Sequence, residues 1–235
     1  MEEIRASTEL PAHREQITLN TLDGQTLVGE LAMPLSNAPK ATLITLHPLP
    51  THGGFMDSHL YRKAANRLPA LIDVAVLRFN TRGTQSPRGT STGSFDGGVA
   101  ESFDVEAAVR FCKARGLENL WLVGWSFGTE LAIKYGPDHE ISAAILISPP
   151  LHRATDADLL RWNQTGKPLI ALVPGEDDYL KPAEAAHRFA IVPHAKVMGF
   201  EGEKHLWVGE NATRRALDAI SEIVVPGSAP LATQF

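Results

Sequence analysis

Short apolar runs alternate along the chain with segments whose apolar positions recur at helical spacing. Residues 41–46, 74–79, 120–123, 143–147, 169–173 and 196–200 read as strands, and most are apolar on both faces, as strands of a buried parallel sheet must be. Ahead of them, 16–19 and 26–33 flank Asp23-Gly24, a turn signal that predicts an opening hairpin. Helices are expected over 58–71, 99–115, 127–135, 182–191 and 212–224. In the second of these, Phe103, Ala107, Val109 or Ala108, and Phe111 are close to helical spacing and predict the side that faces the sheet. The alternation predicts an α/β fold, a doubly wound and mostly parallel sheet flanked by helices through right-handed crossovers. No repeat, low-complexity tract or composition shift divides the chain, so residues 1–235 are expected to form one domain with its core over about 17–224. Residues 226–235, with Pro, Gly, Ser and Ala, read as a loose tail.

The 235 residues, 43% hydrophobic and 21% charged, are ordinary for a globular chain with a large buried core. The net charge is −5, and Lys and Arg are scattered, which disfavours nucleic acid as a partner. No apolar run approaches the roughly 20 residues that span a bilayer, so no membrane partner is expected. The start, Met1 to Arg5, is charged and lacks the apolar stretch of a secretory signal, which predicts a cytoplasmic location. The one cysteine, Cys112, has no partner for an internal disulfide; near Val109 and Phe111 it reads as a small buried residue rather than a reactive thiol.

Chemistry therefore has to be sought in motifs, and one stands at a strand-to-helix junction. Gly124-Trp-Ser126-Phe-Gly128 follows the run 120–123 and opens the helix at 127–135. A G-x-S-x-G turn in this context is a nucleophile elbow: the serine is held on a tight turn, and the flanking glycines let strand and helix approach closely. Ser126 is then exposed at a helix N-terminus, where backbone N–H groups favour developing negative charge.

A serine nucleophile needs a base, and the base an orienting acid. The strand 169–173 runs into the acidic loop Pro174-Gly175-Glu176-Asp177-Asp178, at the strand end where active-site residues gather. All three carboxylates are candidates. With these features the chain resembles the α/β-hydrolase superfamily from about residue 17 to about residue 224. There the acid commonly sits in a G-x-x-D loop, which implies Asp178, with Asp177 second. The resemblance places the base after the strand 196–200, in the loop that carries His205. His187 and His194 precede that strand and are expected on the surface.

The resemblance further implies two oxyanion donors: the amide of Phe127 and one from the loop His47-Pro48-Leu49-Pro50. Many members carry His-Gly there, whereas Pro48 and Pro50 have no N–H, which leaves Leu49 as the second donor. His47, His52 and His59 have no accompanying carboxylate or cysteine pattern, so no metal is expected. Arg78, Arg82 and Gly83 are expected to be scaffold. The chain looks most like small, nearly capless bacterial hydrolases, related to dienelactone hydrolases that use cysteine where Ser126 stands. Where larger members insert a lid, residues 149–167 offer one short helix near 156–162, so the pocket should be shallow and open. The implied activity is hydrolysis of small acyl esters, with no cofactor. The same residues would serve a thioester, lactone or peptide, and a hydrolase fold can also carry a non-catalytic binding protein.

Overall fold

The computed structural model describes residues 3–235. The hairpin forms from β1 (His13–Asn20) and β2 (Thr26–Met33), paired antiparallel from His13 opposite Met33 to Asn20 opposite Thr26. Its loop closes when Thr21 N donates to Gln25 O at 2.9 Å, and Gly24 takes a positive φ of 87° there. Next come β3 (Ala41–Leu46), α1 (His59–Ile72) and β4 (Val74–Phe79). A two-stranded ribbon of β5 (Gln85–Ser86) and β6 (Gly89–Thr90) follows, too short to have been legible as apolar runs.

The chain then alternates strictly: α2 (Glu101–Ala114), β7 (Leu120–Trp125), α3 (Phe127–Tyr135), β8 (Ala143–Ile147), α4 (Asp156–Thr165), β9 (Leu169–Pro174), α5 (Pro182–Phe189), β10 (Lys196–Phe200) and α6 (Glu210–Val224). Eight strands form one sheet in the order β1-β2-β4-β3-β7-β8-β9-β10, parallel from β4 to β10. The doubly wound, mostly parallel sheet is as expected. β3, β4, β8 and β9 are buried along their whole length, whereas β10 closes the edge and is half exposed.

Two apolar layers cover the sheet. α1 and α6 bring Leu60, Ala64, Leu68, Leu217 and Ile220 to one face. α2 to α5 bring residues such as Val105, Leu131, Trp162 and Phe189 to the other. The stripe on α2 is the predicted one only at its centre, where Ala107, Ala108 and Val109 are buried. Phe103 is exposed, and the buried side runs through Glu101, Asp104, Val105, Ala108 and Cys112. Two carboxylates hid it: Glu101 accepts from Asp96 N and Gly98 N at 2.8 Å each, and Asp104 from the Arg82 guanidinium and backbone amide. Buried charges with partners are polar letters on an inward face. Cys112 is buried, and desolvation pushes its thiol up to about 12.

The predicted loose tail is a second correction. Leu231 is buried, its amide donates to Asp218 on α6 at 2.8 Å, and Ile4 N donates to Thr233 O at 2.8 Å. One apolar anchor and these main-chain bonds dock the segment despite its turn-rich composition. Among the described residues, no helix is long and apolar enough to cross a membrane.

Candidate active site

The parallel strands end on one side of the sheet, and six connections meet there. Between β7 and α3, Ser126 adopts φ 52° and ψ −117°, a conformation that side-chain-bearing residues rarely hold. The flanking glycines make the turn possible. A Cβ on Gly124 would run into the Gly128 carbonyl, and one on Gly128 into the Leu46 carbonyl of β3. Ser126 N donates to Ile147 O of β8 at 2.9 Å, and the Ser126 carbonyl accepts from Thr129 Oγ1 at 2.7 Å.

Ser126 Oγ lies 2.9 Å from His205 Nε2, and His205 Nδ1 lies 3.0 and 2.9 Å from the two carboxylate oxygens of Asp177. With Asp177 accepting at Nδ1, the neutral ring carries its proton there, which leaves Nε2 free to accept from the serine hydroxyl. Asp177 and His205 are 3% and 8% exposed, so the acid and base are shielded, while Ser126 is half-buried.

The acid is therefore not where the G-x-x-D count put it. Asp178 is exposed and Asp177 points inward. The displacement follows from backbone pairing. β9 extends through Pro174, Gly175 N donates to Phe200 O at 2.7 Å, and Glu176 N donates to Glu203 O at 2.9 Å. These bonds carry the loop one residue further beside the His205 loop before it turns. Asp177 then accepts the Tyr179 amide at 2.8 Å, closing the turn with Asp178 outside it.

The His205 loop is held by side chains that no motif announced. The His205 carbonyl accepts from Ser148 Oγ at 2.9 Å and from Trp125 Nε1 at 3.3 Å. Ser148 in turn accepts from Trp207 Nε1 at 2.9 Å. His59 Nε2 meets the Trp207 carbonyl at 3.1 Å and packs edge-on against Trp125. Tyr179 leans on the His205 ring at 4.6 Å between centroids, and His152 packs on Tyr179 at 5.3 Å. The nearest thing to a sequence signal was an acidic residue in apolar α3. Buried Glu130 accepts from His152 N at 2.7 Å, Arg153 N at 3.1 Å and Ala154 N, and so fixes the loop after β8.

The loop after β3 is fixed by His47 rather than by a glycine. Its Nδ1 meets the Pro48 carbonyl at 2.7 Å, and Nε2 accepts the Thr81 amide at 3.0 Å. Complete burial lowers its pKa to about 4 and keeps the ring neutral. Among the described hydrogen bonds, neither Leu49 N nor Phe127 N has an acceptor, although the Leu49 carbonyl accepts from His52 N and Gly54 N at 3.0 Å. Beside this loop a cavity of about 310 Å³ is lined by Pro48, His52, Trp125, Leu206 and Val208, among others.

Arg78 is buried against Glu30 and Asp57, and Arg82 against Asp104 at 2.8 Å and Asp23 at 2.7 Å. Both tie β4 and its following loop to neighbouring elements. Gly83, at φ 70°, packs where a Cβ would meet Ser94.

Residues 51–206 match the family described as alpha/beta hydrolase fold. This chain is a member of that family. Over 143 residues this chain is 34% identical to an uncharacterized protein of Rickettsia prowazekii, an alignment that spans 58% of this chain and 56% of that one, so it covers little more than half of that relative's length. Among solved structures it resembles a serine hydrolase without a lid from Xanthomonas campestris, at 24% identity and a TM-score of 0.72, covering 93% of this chain and 94% of the other. A serine hydrolase homologue from Coxiella burnetii is similar at 24% identity and TM-score 0.71, covering 90% and 95%. An esterase from Pyrococcus furiosus superposes at 19% identity and TM-score 0.67, covering 90% and 93%. At these identities the likeness is one of fold. In this chain α4, the one helix between β8 and β9, buries Leu159 and Trp162, and the Trp162 indole donates to Ile133 O of α3 at 2.9 Å. α4 is thereby packed on α3.

Proposed function

We propose that this hydrolase cleaves small carboxylic esters through an acyl-enzyme on Ser126, with His205 as general base and Asp177 as its orienting acid. The observation that carries this reading is the unbroken relay from Ser126 Oγ through His205 to Asp177, with each link at 2.9 to 3.0 Å.

In the first half, Ser126 Oγ bonds to the ester carbonyl carbon while its proton passes to His205 Nε2. The carbonyl oxygen becomes an oxyanion and faces the Leu49 and Phe127 amides, donors without another acceptor. When the tetrahedral species collapses, the ester C–O bond breaks and the Nε2 proton goes to the departing alkoxide, which leaves as an alcohol. In the second half, water attacks the acyl carbon and gives a proton to Nε2. Ser126 Oγ departs and recovers that proton, and a carboxylic acid is released.

The cavity of about 310 Å³ is lined by Leu206 and Val208 of the His205 loop and by Trp125, and so suits a small alcohol group leaving towards His205. A fluorophosphonate probe and a panel of p-nitrophenyl esters of increasing acyl length test the reading. The expected result is a covalent adduct on the Ser126 peptide, absent in Ser126→Ala, together with hydrolysis of the short-chain esters. A folded wild-type protein that neither takes the label nor hydrolyses any of the esters would overturn it.

A further inference from the structure

Among the described residues, four arginines lie over aromatic rings, and three of them are also paired with a carboxylate. Arg82 covers Phe103 and pairs with Asp104, Arg115 covers Phe111 and pairs with Glu15, and Arg215 covers Phe200 and pairs with Glu203. Arg153 is the exception. Its guanidinium carbon sits 5.4 Å from the centroid of Phe127, and among the described residues no carboxylate is paired with it. Glu130 accepts the Arg153 backbone amide, and its carboxylate is also occupied by the amides of His152 and Ala154.

The position connects to both reacting residues through packed rings. Phe127 follows Ser126 directly, and its ring carries the guanidinium. His152, the residue before Arg153, packs on Tyr179, which packs on His205. Glu130 fixes the main chain of the loop, so the guanidinium is presented from a rigid base over a buried ring. With no carboxylate paired to it, this guanidinium keeps N–H donors free, and arginine takes a carboxylate with two parallel hydrogen bonds.

We infer that Arg153 recognises an anionic group on the substrate, so that the preferred esters carry a carboxylate at the far end of the acyl chain. The acyl half is assigned because the leaving oxygen must face His205 Nε2 to receive its proton, whereas the Arg153 guanidinium lies over the ring of Phe127, the residue whose amide faces the acyl carbonyl. The inference rests on Ser126 being the residue that is acylated.

The test compares the p-nitrophenyl monoester of glutaric acid with p-nitrophenyl pentanoate, in wild type and in Arg153→Met, which retains an apolar stem over Phe127. In wild type the charged ester is expected to have a kcat/KM about tenfold higher than the neutral one, the size of a partly solvated charge-assisted hydrogen bond, expressed mainly in KM. Arg153→Met is expected to bring the ratio close to one, Arg153→Lys to retain part of it, and added salt to lower it in wild type alone. Glutarate binding to Ser126→Ala, followed by calorimetry, gives a readout that needs no turnover and is expected to weaken about tenfold when Arg153→Met is added. A ratio and a glutarate affinity both indifferent to Arg153 overturn the inference even if both esters are cleaved. Arg153-dependent glutarate binding in a protein that cleaves neither ester would support the anion site and sink the esterase reading instead.

Discussion

The Asp177 carboxylate contacts His205 Nδ1 through both oxygens, at 3.0 and 2.9 Å, while one of them also accepts the Tyr179 amide at 2.8 Å. Orientation of the imidazole therefore depends on Asp177 and not on its exposed neighbour. Asp177→Asn is expected to lower ester turnover roughly ten-thousand-fold, the scale of effect when the orienting acid selects the wrong tautomer, and Asp178→Asn to stay close to wild type. Steady-state kinetics of the two variants decide the matter; the reverse order would return the acid to Asp178.

Why that one-residue choice was illegible shows where local pattern ends. The acid's position depends on Gly175 and Glu176 amides meeting carbonyls of Phe200 and Glu203, bonds between segments far apart in the chain. By contrast, 41–46, 74–79 and 143–147 coincide with β3, β4 and β8, because strands buried on both faces are written as uninterrupted apolar runs. β1, which is exposed along most of its length at the sheet edge, starts at His13 rather than 16. The elbow was legible since its two glycines answer a local steric demand. The side chains that hold His205, Ser148, Trp125 and Trp207, meet only in three dimensions.

Ser126 stands at φ 52° and ψ −117° because its function requires a side chain where the turn favours glycine. Ser126→Gly should remove that strain and the nucleophile together. The variant is expected to be inactive yet more stable by about 1 kcal/mol, read as a higher denaturant midpoint. A lower midpoint than wild type would mean that the elbow is not strained.

Glu130 accepts three consecutive amides from buried ground, and an amide side chain cannot, since half of it donates. Glu130→Gln is expected to cost about 1 to 3 kcal/mol, the penalty of leaving a buried donor unpaired. Hydrogen exchange gives the local readout: the amides of His152 to Ala154 should lose protection first. Unchanged exchange there would show that other contacts hold the loop.

His47 supplies the pH dependence with the clearest sign. Burial lowers its pKa from 6.5 to about 4, so between those values the unfolded chain binds a proton that the folded protein refuses. Stability then rises with pH across that window: the contribution is fully present above about pH 6.5 and is lost as pH falls toward 4. The shift corresponds to about 3 kcal/mol over the whole window. His47→Gln keeps an acceptor for the Thr81 amide but does not titrate, so subtracting its stability from that of wild type isolates the histidine from every other ionising group. Denaturant unfolding from pH 4.5 to 7.5 should show this difference growing in favour of wild type as pH rises. A difference independent of pH would mean that His47 is not held neutral, and that the loop bearing Leu49 is fixed by something other than the buried imidazole.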